Sequence, residues 1–438
     1  LLFNMNLEKF ITDNGIEIID IQYSSLDERS RSISFPSEKL NYFIENGIGV
    51  DGSSLGIKSE KKSDMVVKPE LDRYYIDPFS EFSSLILFGE LHSTDENEEF
   101  DGDPRRILKK TISLISEKGI ANEIEILPEL EFYIFEECYF ESSKLYRIVD
   151  IRVQNGSSPY NGYHADYPFD LKKDFRMNLL GTFKAVGIEL KYVHHEVGKF
   201  GQHEIEISKL DPIRAVEHIF LCKYLVRKLA SSFNLVATFM PKPIYGEPGN
   251  GMHFHILLKS DGKSIFCDEK DKESMSKTLR LFSRGILKHS KAISAFTNST
   301  TNSYKRLNSG FEAPHKLSYT AGCRESAIRI ADYYKDEDVD IEYRVPDATC
   351  NPYLAISAIL LAGLDGLINI DDNKKRLGKL SSSLLDSINA LEKDKEFLIK
   401  YDVFPEWLIN KWIENKKKEF FEVENNPSSI EFSRYFYL

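Results

Sequence analysis

The run Ile126-Leu127-Pro128-Glu129-Leu130-Glu131-Phe132-Tyr133-Ile134-Phe135 reads as a strand that is apolar except for two carboxylates. Successive strand side chains point to opposite faces, so Glu129 and Glu131 share one. Like charges that close repel, and a buried pair must be neutralised by protons, cations or a metal. One isolated Glu-x-Glu is more simply a salt-bridged strand face. The pattern recurs downstream, each time with ligand-type residues, and that recurrence favours a site.

The second instance is His194-His195-Glu196, followed by Gly201-Gln202-His203-Glu204-Ile205-Glu206-Ile207. Glu196 and Glu204 flank a Gly-containing turn that can bring them together across a hairpin. The third is Gly249-Asn250-Gly251-Met252-His253-Phe254-His255, where the glycines let backbone approach a ligand and the two histidines share a strand face. The fourth is Ile341-Glu342-Tyr343-Arg344-Val345, with Glu342 and Arg344 on one face. Hard oxygen ligands dominate, which suits Mg²⁺ or Mn²⁺ better than a thiolate zinc site. Each motif alone is weak, since His pairs in strands are often core residues with satisfied nitrogens.

Between the third and fourth motifs lie Arg306, Glu312, Arg324 and Arg329. Arginine is suited to bidentate recognition of carboxylate and phosphate. Metals with converging arginines point to phosphoryl transfer on a small anionic substrate; the plainer alternative is surface ion pairing. No Walker-type Gly-x-x-x-x-Gly-Lys-Ser/Thr run is present, so a nucleotide would be held another way.

The chain has 438 residues and a net charge of −12, which predicts two or three domains and argues against nucleic acid as partner. An apolar share of 42% and a charged share of 29% are those of a globular protein with a sizeable core. No apolar run approaches the ~20 residues of a membrane span, so no membrane partner is expected. Leu1 to Asn4 precede a candidate initiator, Met5, and lack the basic flank of a signal peptide. Five widely spaced cysteines read as reduced thiols, which suggests a cytoplasmic location.

The first hundred residues read as a small mixed unit with strands at Ile16–Tyr23 and Leu85–Leu91, and Thr94–Asp103 as an acidic linker. Asp103-Pro104 opens a helix that Gly119 stops. Further helices are expected over Leu171–Val186, Pro212–Phe233, Lys270–Leu287, Pro352–Leu367, Ser382–Leu391 and Pro405–Phe421. Strands are expected over Ile124–Phe135, Glu204–Ile207, Met252–Leu258, Ala327–Ile330 and Ile341–Val345. The aromatic ending, Glu431 to Leu438, is expected to be docked. No internal repeat or low-complexity tract is found.

Taken together the motifs resemble the glutamine synthetase family in its bacterial and archaeal type I form, over nearly the whole length. The resemblance is carried by Val50-Asp51-Gly52-Ser53-Ser54-Leu55, Ile76-Asp77-Pro78-Phe79, Pro128 to Phe132, His194-His195-Glu196 with Gly201-Gln202-His203-Glu204, Thr238 to Pro243, Gly251-Met252-His253, Asn302 to Arg306, Phe311 to Pro314 and Asn351-Pro352-Tyr353. It implies an α+β protein with an N-terminal β-grasp domain (1–102) and a C-terminal catalytic domain (103–438) built on an antiparallel sheet with surrounding helices. It also implies a double-ring dodecamer with active sites between subunits. The implied reaction is ATP-dependent ligation of ammonia to L-glutamate through γ-glutamyl phosphate, with two Mg²⁺ or Mn²⁺ per site.

Carried over by motif, Glu131, Glu196 and Glu204 match the ligands of one metal. Glu129, His253 and Glu342 match those of the second. Arg306, Arg344 and Gly249 match the glutamate contacts, and Arg324 and Arg329 face the transferred phosphate. His255 matches a nucleotide-side residue, and Glu312 the flap carboxylate that takes a proton from the amine. Asp51 and Ser54 of a neighbouring subunit, with Tyr163, match the ammonium pocket.

The chain departs from the family pattern in places. Pro248 stands where an Asn normally contacts glutamate, Leu257 where a hydroxyl is expected, and Lys335 to Asp340 is acidic where the family is basic. These bear on glutamate and nucleotide contacts. The region after Gly366 lacks the Tyr-bearing loop, so control by adenylylation is not expected. Two other readings stand beside ammonia ligation: a γ-glutamyl ligase for an organic amine such as a polyamine or ethanolamine, and a non-catalytic homologue. Intact metal motifs disfavour the last.

Overall fold

The computed structural model describes residues 2–94, 100–143, 147–153, 161–268, 270–271, 274–331, 338–369 and 378–435. The N-terminal part runs α1 (Leu2–Asp13), β1 (Ile18–Ser24), β2 (Ser30–Pro36), α2 (Leu40–Asn46), β3 (Ile48–Asp51), β4 (Asp64–Pro69), β5 (Tyr75–Ile76) and β6 (Ser84–Ser93). Its sheet has the order β2-β1-β6-β4-β3, with β5 also on β6; β1 and β6 are parallel and their neighbours antiparallel. This is the β-grasp arrangement expected from the resemblance. The helix α1 was not foreseen. Of the expected linker, residues 95–99 lie outside the described residues.

Alternation along β6 explains how this sheet is held. Leu85, Leu87 and Leu91 enter the domain's own core, while Ile86 and Phe88 enter the core of the rest of the chain. Period-2 alternation puts these sets on opposite faces, so this strand is buried on both. Polar links reinforce the seam. Arg105, Arg73 and Tyr75 converge on buried Glu217 at 2.6, 2.9 and 2.9 Å.

The larger part begins with α3 (Pro104–Glu117), capped by Asp103, whose side chain accepts from the Arg106 N–H. There follow β7 (Glu123–Phe135), a hairpin of β8 (Glu137–Ser142) and β9 (Arg147–Arg152), α4 (Lys173–Val186), β10 (Leu190–His195), β11 (Gln202–Ile207), α5 (Pro212–Ser232), β12 (Val236–Thr238), β13 (Met252–Ser260) and β14 (Lys263–Ser264). The chain continues with α6 (Lys277–Thr297), α7 (Thr301–Leu307), β15 (Lys316–Ala321), β16 (Ser326–Ile330), β17 (Ile341–Tyr343), α8 (Pro352–Asn369), α9 (Leu384–Lys393), α10 (Glu396–Ile399), α11 (Glu406–Glu424) and α12 (Ser429–Tyr435). The second sheet has the order β10-β11-β7-β13-β17-β16-β15, antiparallel except for β15 on β16. Helix α8 is apolar enough over 18 residues to cross a membrane but is 78% buried, packed chiefly against α6.

Two expectations are corrected. The helix expected over Lys270–Leu287 is shifted to Lys277–Thr297, because Ser276 caps it by accepting from the Leu279 N–H and its apolar face continues to Phe296. The chain's ending is largely exposed where it is described: in α12, Ile430 and Phe432 are 58% and 52% exposed. Residues 436–438 lie outside the described residues.

Candidate active site

Strand register builds the site. On β7, Glu129 pairs laterally with Glu206 of β11 and with His253 of β13, while Glu131 pairs with Glu204. On the far side His255 pairs with Glu342, and Glu342 with Arg329. Laterally paired residues point the same way, so the alternate positions of neighbouring strands make one continuous polar face. Across the β10–β11 hairpin His194 stands opposite Glu204, with Glu196 in the turn.

This face has two electrostatic halves. In one, burial and then Glu131 push Glu196 up to about 8, and burial with Glu129 and Glu196 pushes Glu204 well above the ordinary carboxyl range. One oxygen of Glu196, Oε2, is buried with no hydrogen-bond partner. His194 lies 3.6 Å from that oxygen and 3.8 Å from Glu204, and burial keeps the imidazole below its usual pKa. Carboxylates held protonated for want of a counter-charge, with an unused oxygen among them, fit a divalent cation.

The other half already holds cations. Burial opposes ionisation of Glu129, yet His255 and His253, at 2.8 and 2.9 Å, hold its carboxyl well below the ordinary range. Glu342 accepts from Arg329 at 2.6 Å and from Arg344 at 2.9 Å. His253 also stands 3.6 Å from Glu342. His255 is fully engaged, with Nδ1 3.1 Å from the buried carboxylate of Asp340. A cation here would enter among existing ion pairs.

A cavity of about 210 Å³ faces these groups, lined by the carboxylates together with Arg306, Arg324, Arg329, Arg344, Tyr163, Gly249 and Glu312. Arg306 is buried, donating to the carbonyls of Val345, Pro346 and Arg344 at 2.8, 3.1 and 3.1 Å. Arg324 and Glu312 meet at 3.9 Å with half-exposed side chains at the mouth. Gly249 is there for space: a Cβ would lie 2.4 Å from the Pro241 carbonyl and 2.8 Å from Arg306 Cγ. Pro248 lines the cavity, and its carbonyl accepts from the Tyr133 hydroxyl at 2.8 Å.

Three candidates fall outside this cavity. His255 lies behind Glu129. Asp51 and Ser54 lie on the N-terminal sheet's β3 edge, bonded to each other at 2.6 Å, where the Ser54 and Ser53 hydroxyls hold Asp51 well below the usual carboxylate range. Sequence reasoning missed four of the polar lining residues, Tyr192, His194, Gln202 and Glu206. Burial and Glu129 push Glu206 up to about 7, and it accepts from Tyr192 and Lys191. Gln202 accepts from the Gly198 N–H at 2.8 Å and donates to the Gly249 carbonyl at 3.0 Å, tying the hairpin turn to the next loop. Of the acidic stretch Lys335–Asp340, residues 335–337 lie outside the described residues.

Comparison with known proteins decides the family. Residues 15–94 match the family "Glutamine synthetase, beta-Grasp domain" and residues 101–435 match "Glutamine synthetase, catalytic domain". The chain belongs to the glutamine synthetase family. It is similar to the glutamine synthetase of Pasteurella multocida, 34% identical over 464 residues covering 98% of each chain. The glutamine synthetase of Aquifex aeolicus is 35% identical over 455 residues, covering 97% of each. Among solved structures, Plasmodium falciparum glutamine synthetase superposes with a TM-score of 0.90 at 27% identity, covering 99% of this chain and 98% of that one. The unliganded structure named GmaS shares the fold at a TM-score of 0.84 and 24% identity. Within the glutamine synthetase family ATP and divalent metal are the ordinary reactants and cofactors, and the proton-holding carboxylates here are of the right chemistry for the metal.

Proposed function

We propose that this enzyme ligates ammonia to L-glutamate at the expense of ATP, through γ-glutamyl phosphate, as a type I member of its family. The observation that carries this is the juxtaposition, in the lining of one cavity, of carboxylates pushed toward the protonated form and four arginines. Glu131, Glu196 and Glu204 would hold one Mg²⁺ or Mn²⁺, and Glu129, His253 and Glu342 the second. When bound, the ions supply charge neutralisation for ATP phosphates and the transferred group. Arg306, Arg344 and the Gly249 backbone orient glutamate. Arg324 and Arg329 face the phosphoryl group as its charge spreads. His255, held between Glu129 and Asp340, acts on the nucleotide side through Glu129. Glu312 takes the proton that ammonium must lose before its nitrogen attacks, and the segment carrying it keeps water from the acyl phosphate.

Asp51 and Ser54 cannot act in their own chain's cavity. Their exposed position on a sheet edge supports a site completed by a neighbour in a ring assembly, with a dodecamer as the proposed form. The five free cysteines fit a reducing cytoplasmic compartment.

A second reading has its own observation. Tyr163 stacks on His164 at 4.0 Å, and His194 stands edge-on to both at 5.6 and 4.6 Å, next to Glu196 and Glu204. Aromatic faces beside carboxylates also suit a small organic ammonium, which keeps γ-glutamyl transfer to an organic amine as the alternative. One screen separates the two: ATP-dependent phosphate release with glutamate and ammonium, methylamine, ethanolamine or putrescine. Ammonium should give the highest kcat/KM. A preferred organic amine would replace the first reading with the second.

A further inference from the structure

Glu312 sits on an unusual stretch of backbone. Gly310, Phe311 and Glu312 have φ of +76°, +55° and +62°, three consecutive residues in the left-handed region. Residues with a Cβ adopt it only when their surroundings hold them there. From the cavity side the hold comes from Arg344, which donates to the Glu312 carbonyl at 3.3 Å, and from the longer Arg324–Glu312 contact at 3.9 Å. From outside it comes from Lys242. Its ammonium lies 5.0 Å from the centre of the Phe311 ring, which is 51% exposed and meets no other aromatic ring among the described residues.

Lys242 is itself fixed. The carboxamide of Asn302 accepts from the Lys242 N–H at 2.7 Å and donates to its carbonyl at 3.2 Å. Asn302 lies in α7, the helix that carries Arg306. The Lys242 ammonium donates to the carbonyl of Glu247, the residue before Pro248 in the loop that borders the cavity. One residue thus joins the three: its backbone ties it to the helix of Arg306, and its side chain reaches the loop at Pro248–Gly249 and the segment of Glu312. It lines none of the cavity.

We propose that Lys242 is a positioning residue that pins Phe311 and so holds the Glu312 segment closed over the reaction. The cost of losing it rests on the proposed reaction. If the segment opens, water can attack the acyl carbon of γ-glutamyl phosphate in place of the amine. The carbon–oxygen bond to phosphate breaks, glutamate and inorganic phosphate are returned, and an ATP is hydrolysed without an amide being made.

The test has two readouts on the intact protein, wild type against Lys242→Met and Lys242→Arg. The first needs no activity: hydrogen–deuterium exchange across residues 307–316, where the Ala313 amide is bonded to the Gly310 carbonyl at 3.2 Å. Loss of an exposed cation–π contact should speed this exchange roughly two- to fivefold in Lys242→Met, and Lys242→Arg should restore the wild-type rate. Unchanged exchange in Lys242→Met, equal acceleration in Lys242→Arg, or acceleration extending to the core helix α8 would each overturn the proposal. The second readout is phosphate released per amide formed at saturating amine. It should rise in Lys242→Met and in Phe311→Leu, and no further in the double variant. Additive effects would refute a shared contact. A wild type that forms no amide with any amine would overturn the proposed reaction, and the exchange result would still decide the role of Lys242.

Discussion

Metal-free protein should pay for its unneutralised carboxylates in stability, and Glu196→Gln isolates one of them. Glu196 is pushed up to about 8 in the folded chain from an ordinary 4.5, by burial and by Glu131. The folded state therefore keeps a proton that the unfolded chain releases. The sign is the reverse of the usual salt-bridged carboxylate: stability is highest below pH 4.5 and falls as pH rises toward 8. Each pH unit in that window costs about 1.4 kcal/mol, so by pH 7 this group costs roughly 3 kcal/mol. Glutamine cannot titrate and retains a donor for Glu204. Metal-free Glu196→Gln should match wild type near pH 4.5 and exceed it by up to about 3 kcal/mol at pH 7. For a chain this long, unfolding as a unit, that is about 3 °C in Tm. Saturating Mg²⁺ should largely cancel the difference at pH 7, since an ion at 100 times its Kd adds about 2.7 kcal/mol to whichever protein binds it. The assay is thermal and urea unfolding of both proteins from pH 4.5 to 8, with EDTA and with Mg²⁺. A difference between the two metal-free proteins that does not grow with pH, or a variant that still gains the full Mg²⁺ shift, would refute the reasoning.

Three further outcomes follow from the geometry. Turnover should be abolished by excess chelator and restored by Mg²⁺ or Mn²⁺, and Glu131→Ala or His253→Ala should remove it nearly completely, read by phosphate release. Inactive Asp51→Ala and inactive Glu312→Ala subunits, mixed and reassembled, should recover part of the wild-type activity, since a mixed pair can form one complete site; light scattering on a fully active monomer would contradict this. Arg105→Met should cost about 3 kcal/mol, because Glu217 loses its 2.6 Å partner at the seam between the two parts while Arg73 remains. Denaturant midpoints should report that loss, with kcat of the folded fraction unchanged.

Much of the fold was legible because its signals are local. Asp-Pro at 103–104 and 211–212 announces caps that the side chains do form, and Glu-x-Glu or His-x-His announces a shared strand face. The same rule contained Glu206, two residues after Glu204, and applying it once more along β11 would have placed that carboxylate in the site. Tyr192 and Gln202 gave no such signal. Tyr192 reaches the site from across the hairpin, through Glu206, and Gln202 matters for the loop it meets at Gly249. The shifted start of α6 shows a different failure: Ser276 was available as a cap, but the charged stretch before it also suits a helix, and only packing chooses between them. The ending's aromatic residues promised burial, yet composition does not say against which surface.

Register explains why the site divides as it does. On β7 the positions of Glu129 and Glu131 differ by only one strand repeat, but their lateral partners differ in kind. Glu129 is flanked by Glu206 on one side and by His253 on the other, with His255 behind it, and this imidazole side continues to Glu342 and its two arginines. Glu131 is flanked by Glu204 and faces Glu196 in the turn, so its neighbours add negative charge rather than cancel it. Glu129 and Glu342 are held ionised and already paired, whereas Glu196 and Glu204 are held toward the protonated form. A divalent cation entering the second pair displaces protons, whereas one entering the first must compete with hydrogen bonds already made. Occupancy of the Glu131 side should therefore be the more pH-dependent, strengthening as pH rises toward 8. Titrating Mn²⁺ by electron paramagnetic resonance at pH 6 and pH 8 would show it, with Glu196→Gln removing the pH-sensitive class and leaving the other. Two classes with the same pH dependence would mean that the charge asymmetry written into the strand register does not govern how the ions bind.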